Sequence, residues 1–222
     1  MPTPRHRRRG LLVAVEGLDA AGTSATADLL ARWLERIGRR VHVVPWEASS
    51  ALQRAAADPR RRQALTARVA ALLVAAEAVR RIDARLRGPL GVGEVVVADR
   101  YAWTPVAREI ARGLDPDWVA RLYGQVPRPD VVLFARTDPV AALTRALRVG
   151  ANAARAEAVR PAFGEFLREL STAYEGIATG ALPGPWPART TIVDAGLPPE
   201  IVTREAREAV RSMLDDPRRA IA

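Results

Sequence analysis

The chain of 222 residues contains no cysteine and no lysine. Without thiols it forms neither disulfides nor thiolate metal sites, which fits a reducing compartment, and a cytoplasmic location is expected. The 34 residues of the Lys+Arg count are therefore all arginine, so a site that needs a fixed cation must use a guanidinium. Aromatic residues make up only 5%, and none interleave with the arginine clusters as they would in a strand-binding nucleic-acid groove. The two histidines, His6 and His42, have no neighbouring nucleophile or metal partner. No apolar run approaches the ~18 residues of a membrane helix. The nearest, Ala67 to Val79, is interrupted by Arg68 and Glu77, and Leu11 to Val15 is too short for the apolar region of a signal peptide. No membrane partner is expected.

What is present is a chain with 49% hydrophobic residues and strand-like and helix-like segments in alternation. This suits one compact domain over residues 11–222, preceded by a disordered basic tail at 1–10. The net charge of +9 gathers in Arg5 to Arg9, Arg60 to Arg62 and Arg218 with Arg219. Such clusters read as solvated faces, so nucleic acid is not expected as a partner.

Strands are expected at Leu11–Glu16, Val41–Val44, Glu94–Ala98, Asp130–Ala135 and Thr191–Asp194. Helices are expected at Ala25–Ile37, over Ala51–Arg87 with a division at Pro59, from Pro105 and Pro116, at Pro139–Leu147, up to Thr179, and at Pro198–Met213, with a turn at Gly88–Gly93. Strands separated by helices imply a five-stranded parallel sheet covered on both faces, a three-layer α/β sandwich with its crevice beyond the strand carboxyl ends.

At the first of those ends, Gly17 to Ser24 reads Gly-Leu-Asp-Ala-Ala-Gly-Thr-Ser. A Gly-rich turn between strand and helix aims backbone N–H groups, with the positive helix end, at phosphate. Gly17, Ala20, Ala21, Gly22, Thr23 and Ser24 are thus candidate nucleotide-binding residues. Ser24 has the hydroxyl suited to Mg²⁺, Asp19 can face the metal or the acceptor, and Thr23 stands where this frame carries its lysine. Asp99 and Arg100 close the third strand and put a carboxylate and a guanidinium at the same crevice. Arg148 and Arg155 flank a small-residue stretch, so residues 148–160 suit a mobile lid that brings an arginine over the phosphates. These are the parts that phosphoryl transfer requires.

In this order the motifs resemble the thymidylate kinase family, P-loop nucleoside monophosphate kinases, over nearly the whole chain. Val15-Glu16-Gly17-Leu18-Asp19 resembles the family's opening strand and loop, and Leu72 to Glu77 its Leu-Phe-Ala-Ala-Asp-Arg helix. Asp99-Arg100-Tyr101 matches its Asp-Arg-Tyr turn, and Gly113 to Pro116 and Arg128 to Asp130 fall where the family has similar words. Ile192 to Ala195 resembles its strand before the adenine loop. The resemblance implies ATP with Mg²⁺, a nucleoside monophosphate acceptor, usually dTMP, and a homodimer. It places Asp19, Asp99, Arg100 and Arg155 in catalysis, Ala195 beside the nucleotide base, and Trp46, Glu47, Val74, Ala78 and Tyr101 around the acceptor.

The departures are local. Trp46-Glu47-Ala48 replaces Arg-Glu-Pro, Val74 the phenylalanine that stacks on thymine, and Ala78 the arginine that reads it. Arg80, Arg81 or Arg155 are candidates to restore the lost charge, and Trp46 the lost stacking. Two readings stay open: a kinase with altered acceptor choice and no strong thymine preference, or a nucleotide-binding regulatory protein on the kinase fold.

Overall fold

The computed structural model describes residues 10–45, 49–58, 65–149 and 153–215, and of 146–149 and 153–162 the backbone alone. The basic tail up to Arg9, Trp46, Glu47 and the arginine clusters at 60–62 and 218–219 lie outside the described residues.

Five strands form one parallel sheet: β1 (Leu11–Gly17), β2 (Val41–Pro45), β3 (Val95–Asp99), β4 (Val131–Arg136) and β5 (Thr190–Asp194), in spatial order β2-β3-β1-β4-β5. Every residue of the central strand β1 is buried, whereas the edge strands β2 and β5 are largely open. That matches a continuous apolar run for β1, since a strand covered on both faces has no polar side.

The helices are α1 (Thr23–Arg36), α2 (Ser50–Ala57), α3 (Ala67–Arg85), α4 (Arg87–Gly91), α5 (Trp103–Ala111), α6 (Pro116–Leu122), α7 (Pro139–Val149), α8 (Ala153–Thr179) and α9 (Pro199–Leu214). Alternate strand residues build two cores. Leu11, Val13, Val15, Val97 and Leu133 pack with Ala27, Leu30 and Leu34 of α1 and Val210 of α9. Leu12, Ala14, Val96, Ala98 and Phe134 pack with Val106 of α5 and Leu167, Leu170 and Tyr174 of α8. The period of two in side-chain direction therefore yields the three layers.

The expected turn at Gly88–Gly93 is a correction. Residues 87–91 form the short helix α4, closed by Gly93 at φ 87°, because the amides of Leu90 and Val92 find carbonyls at Leu86 and Gly88. Local hydrogen bonding here outweighs the turn-like composition of Gly88, Pro89 and Gly91.

Candidate functional site

β1 ends at Gly17, whose backbone lies so close to its neighbour that a Cβ there would meet the Ala135 carbonyl at 2.8 Å. The chain then crosses Leu18 to Ala21, with Ala20 at φ 62°, and enters α1 through Gly22 at φ 81°. That left-handed conformation explains glycine at position 22. The first helical bond runs from the Thr26 amide to the Gly22 carbonyl at 2.9 Å, so the amides of Thr23, Ser24 and Ala25 have no helical acceptor. They suit phosphate oxygens, as the sequence frame implies.

The Ser24 hydroxyl donates to Asp99 Oδ2 at 2.5 Å, joining α1 to the end of β3. The other oxygen, Asp99 Oδ1, is buried and without a hydrogen-bond partner. An unpaired buried carboxylate oxygen beside a hydroxyl fits a hard cation, which takes oxygen ligands. Among the described residues no three His, Asp or Glu side chains cluster as a metal site. Mg²⁺ would accordingly be held by Ser24, Asp99 and substrate phosphate oxygens.

Asp19 is engaged differently. Arg100 Nη1 donates to its Oδ1, and Arg108 Nη2 donates to both of its oxygens at 3.0 and 3.1 Å. Burial works to raise the Asp19 pKa, but the two guanidinium groups outweigh it and hold the carboxyl below its ordinary range. Arg100 is fixed further by Nη2 on the Leu18 carbonyl at 3.1 Å and by a long contact of Nε with Thr23 Oγ1 at 3.5 Å. Its backbone adopts φ 67°, a strained state that its own contacts over-determine. A guanidinium thus lies against Thr23, the position that the frame gives to lysine.

Below this layer, Glu16 is fully buried. Its Oε1 accepts from the amides of Tyr101 and Trp103 at 3.0 and 2.8 Å, and its Oε2 from the Thr104 hydroxyl at 2.6 Å. Thr104 Oγ1 meets the Tyr174 hydroxyl of α8 at 2.8 Å. Burial pushes the Glu16 carboxyl up to about 7, against the opposing pull of these donors. Glu16 therefore seats the Asp99-Arg100-Tyr101 turn and the start of α5 on β1.

Toward β2, a small apolar cavity of about 30 Å³ is lined by Val44, Ala78, Ile82, Tyr101, Arg81 and Arg100, among others. Tyr101 contributes its ring while its hydroxyl donates to the Pro127 carbonyl at 2.9 Å. Arg81 turns inward with 15% of its side chain exposed, whereas Arg80 is 69% exposed. Val74, half-buried on α3, is not among this cavity's lining. Across it, Glu77 accepts from the hydroxyls of Ser49 and Ser50 at 2.6 and 2.7 Å and the Ala51 amide at 3.1 Å. The Ser49 bond leads in holding this carboxyl down at about 2. This fastens α2 to α3.

Toward β5, Arg145 rests on the Ala195 carbonyl at 3.4 Å. A larger groove of about 640 Å³ lies at the ends of β4 and β5, with Asp138, Glu175, Asp194 and Glu205 facing Arg136. Four carboxylates against one guanidinium disfavour phosphate there. Arg155 lies in the first turn of α8, and its side chain is outside the described residues, as are Trp46 and Glu47. The fold thus brings Asp19, Thr23, Ser24, Asp99 and Arg100 together, while Ala78 and Tyr101 border the adjoining cavity. Glu16, Thr104, Arg108 and Arg145 were not singled out from the sequence. Arg108 gives no local signal, since its partner Asp19 is 89 residues away.

Comparison with known proteins agrees with this geometry. The probable thymidylate kinase 2 of Saccharolobus solfataricus is 35% identical over 137 residues, 62% of this chain and 64% of that protein. The probable thymidylate kinase of Thermococcus gammatolerans is 34% identical over 138 residues, again 64% of its length, so the chain spans somewhat under two thirds of these two relatives. The thymidylate kinase of Clavibacter sepedonicus is 32% identical over 204 residues, 89% of this chain and 93% of that protein. The family model described as thymidylate kinase matches residues 15–205. With the phosphate loop, the Asp99-Arg100 turn and the five-stranded order inside that span, the chain belongs to the thymidylate kinase family.

Proposed function

We propose that this chain transfers the γ-phosphoryl group of ATP to a nucleoside monophosphate, dTMP or a related nucleotide. The observation that carries the reading is the convergence of Ser24, Asp99, Arg100 and Asp19 on a loop whose helical amides have no helical acceptor. A module that only bound nucleotide would have little need of a metal-side carboxylate and acceptor-side guanidinium groups together.

Phosphoryl transfer depends on alignment and on stabilising spread charge. The loop amides and the positive end of α1 hold the donor phosphates. Mg²⁺, when bound, neutralises charge on the donor phosphates, and Ser24 with Asp99 are the residues that fit it. Arg100, anchored before substrate arrives, supplies fixed positive charge beside Thr23 without reorganisation cost. Arg81 and Arg100 are the cations at the cavity toward β2, and Arg81, rather than the exposed Arg80, takes the part left empty by Ala78. The base end of ATP lies toward Ala195 and Arg145. The reaction is cytoplasmic. The working form is a homodimer, for which the exposed Val69 and Leu72 of α3 offer an apolar stripe, and sedimentation velocity reads it directly.

A coupled ADP-release assay with Mg²⁺-ATP and dTMP, dUMP, UMP and CMP tests the reading; turnover on at least one acceptor is expected. Nucleotide binding without turnover on any of the four would overturn it in favour of a regulatory role. The same assay tests position 23. Because Arg100 already occupies the space beside it, Thr23→Lys should leave kcat unchanged or lower it through like-charge repulsion. A tenfold or larger gain would mean that Arg100 does not serve as the missing cation.

A further inference from the structure

Arg100 and Arg108 share the Asp19 carboxylate but are held in different ways. Arg100 is 14% exposed and uses Nε, Nη1 and Nη2 on Thr23, Asp19 and Leu18. Arg108 is 28% exposed and uses Nη2 alone. Among the described residues, its Nε and Nη1 have no hydrogen-bond partner. Two guanidinium groups on one carboxylate leave a surplus positive charge, and its open donors are on Arg108.

The direction of those donors follows from the sheet. The phosphate loop follows β1, Ala195 and Arg145 lie on the β4–β5 side, and α5 leaves the β3 side, where the cavity lined by Arg81 and Tyr101 lies. Arg108 shares Asp19 with Arg100, which lines that cavity, so its guanidinium stands beside the acceptor half of the crevice. The start of its helix is fixed by Glu16 through the Trp103 amide and Thr104 hydroxyl, so the guanidinium is presented on a rigid support. A planar fork with free donors suits bidentate phosphate binding.

We propose that Arg108 binds the phosphate of the acceptor nucleoside monophosphate, with Asp19 holding the guanidinium in place. This rests on the kinase reading above, and it answers the loss of the arginine at position 46, where Trp46 stands. Arg108 is then a substrate-binding residue in which this chain has relocated an acceptor contact onto α5.

The test uses the full chain. In the coupled assay, Arg108→Gln should raise KM for dTMP, or for whichever of the four monophosphates the wild type uses best, by roughly 10- to 100-fold. That is the size of a lost charge-assisted hydrogen bond. KM for ATP should move less than threefold, a split that mere loss of stability does not produce. Arg108→Lys, which keeps the charge without the fork, should fall between and also serves if the glutamine variant does not fold. A rise in acceptor KM below threefold, or an equal rise for ATP, overturns the proposal. Calorimetric titration with dTMP and with UMP separates it from the activity reading. If the wild type binds a monophosphate without turnover, weakened binding in Arg108→Gln upholds the Arg108 contact alone, and undiminished binding overturns it.

Discussion

Glu16 and Glu77 both use a carboxylate to fasten the start of a helix to a neighbouring element, yet their proton affinities move in opposite directions. Each accepts from two kinds of donor, backbone amide and side-chain hydroxyl. Glu16 lies between β1, α5 and α8 with no solvent contact, so desolvation outweighs its donors and its pKa rises to about 7. Glu77, between α3 and α2 with 9% of its side chain exposed, has Arg81 at 3.4 Å, and its donors outweigh desolvation, so its pKa falls to about 2. The same kind of clamp is therefore made permissive or insistent about charge by the balance between desolvation and the donors and cations around it.

The contrast can be broken most forcefully at Glu16. Glu16→Ala leaves two amides unpaired inside the core and the Thr104 hydroxyl with Tyr174 alone, and should cost about 4 kcal/mol, within the range for broken buried charge networks. Urea denaturation at pH 7 measures it, and a loss under about 1 kcal/mol would mean that the turn after β3 holds itself.

A subtler change sharpens the comparison. The folded pKa of Glu16 lies above its ordinary 4.5, so the folded chain retains a proton that the unfolded chain releases. Its contribution is full below pH ~4.5 and is lost as pH rises through ~7, about 3 kcal/mol in all. Glu16→Gln keeps an acceptor for both amides and has no proton to lose. Stability of the wild type relative to this variant should decline across that window, and parallel curves would remove the raised pKa. Glu77 tilts the other way, since its folded pKa is depressed: its contribution is present above pH ~4.5 and lost as pH falls through ~2.

The smallest expected effect is Glu77→Ala, at about 2 kcal/mol at pH 7, from loss of charged hydrogen bonds at the α2 cap. On the proposed reading its functional effect should fall on acceptor KM, because Arg81, which Glu77 also holds, lines the cavity proposed for the acceptor. An equal rise in ATP KM would show that the clamp serves the whole crevice rather than its acceptor half.

The parts legible from sequence were those whose physics is local. The Gly17–Ser24 turn announces itself because glycine and a following helix are written side by side, and α1 begins at Thr23, two residues before the Ala25 start expected. The sheet was legible because β1, β3 and β4 are apolar on both faces. Position 16 looked only like the end of an apolar run, since an acid at a strand end gives no sign that two amides and a hydroxyl from residues 101–104 will converge on it. Arg108 was equally silent, as a helical arginine is usually solvated and only tertiary packing sets it against Asp19. The choice between Arg80 and Arg81 needed the rotation of α3 against the sheet, which residue spacing alone does not fix.

The bond from Thr104 to Tyr174 has a mechanical meaning. α8 is held along its C-terminal half by Leu167, Leu170 and Tyr174, and by Glu175 on Arg136 at 2.6 and 2.7 Å. From Leu167 back to Ala153 it extends about 21 Å at 1.5 Å per residue. A tilt of one degree about that fulcrum would displace the far end by about 0.4 Å, so α8 has the proportions of a lever. Its short arm is joined through Thr104 to Glu16 of the strand that leads into the Gly17–Ser24 loop, and its long arm ends in the turn that contains Arg155.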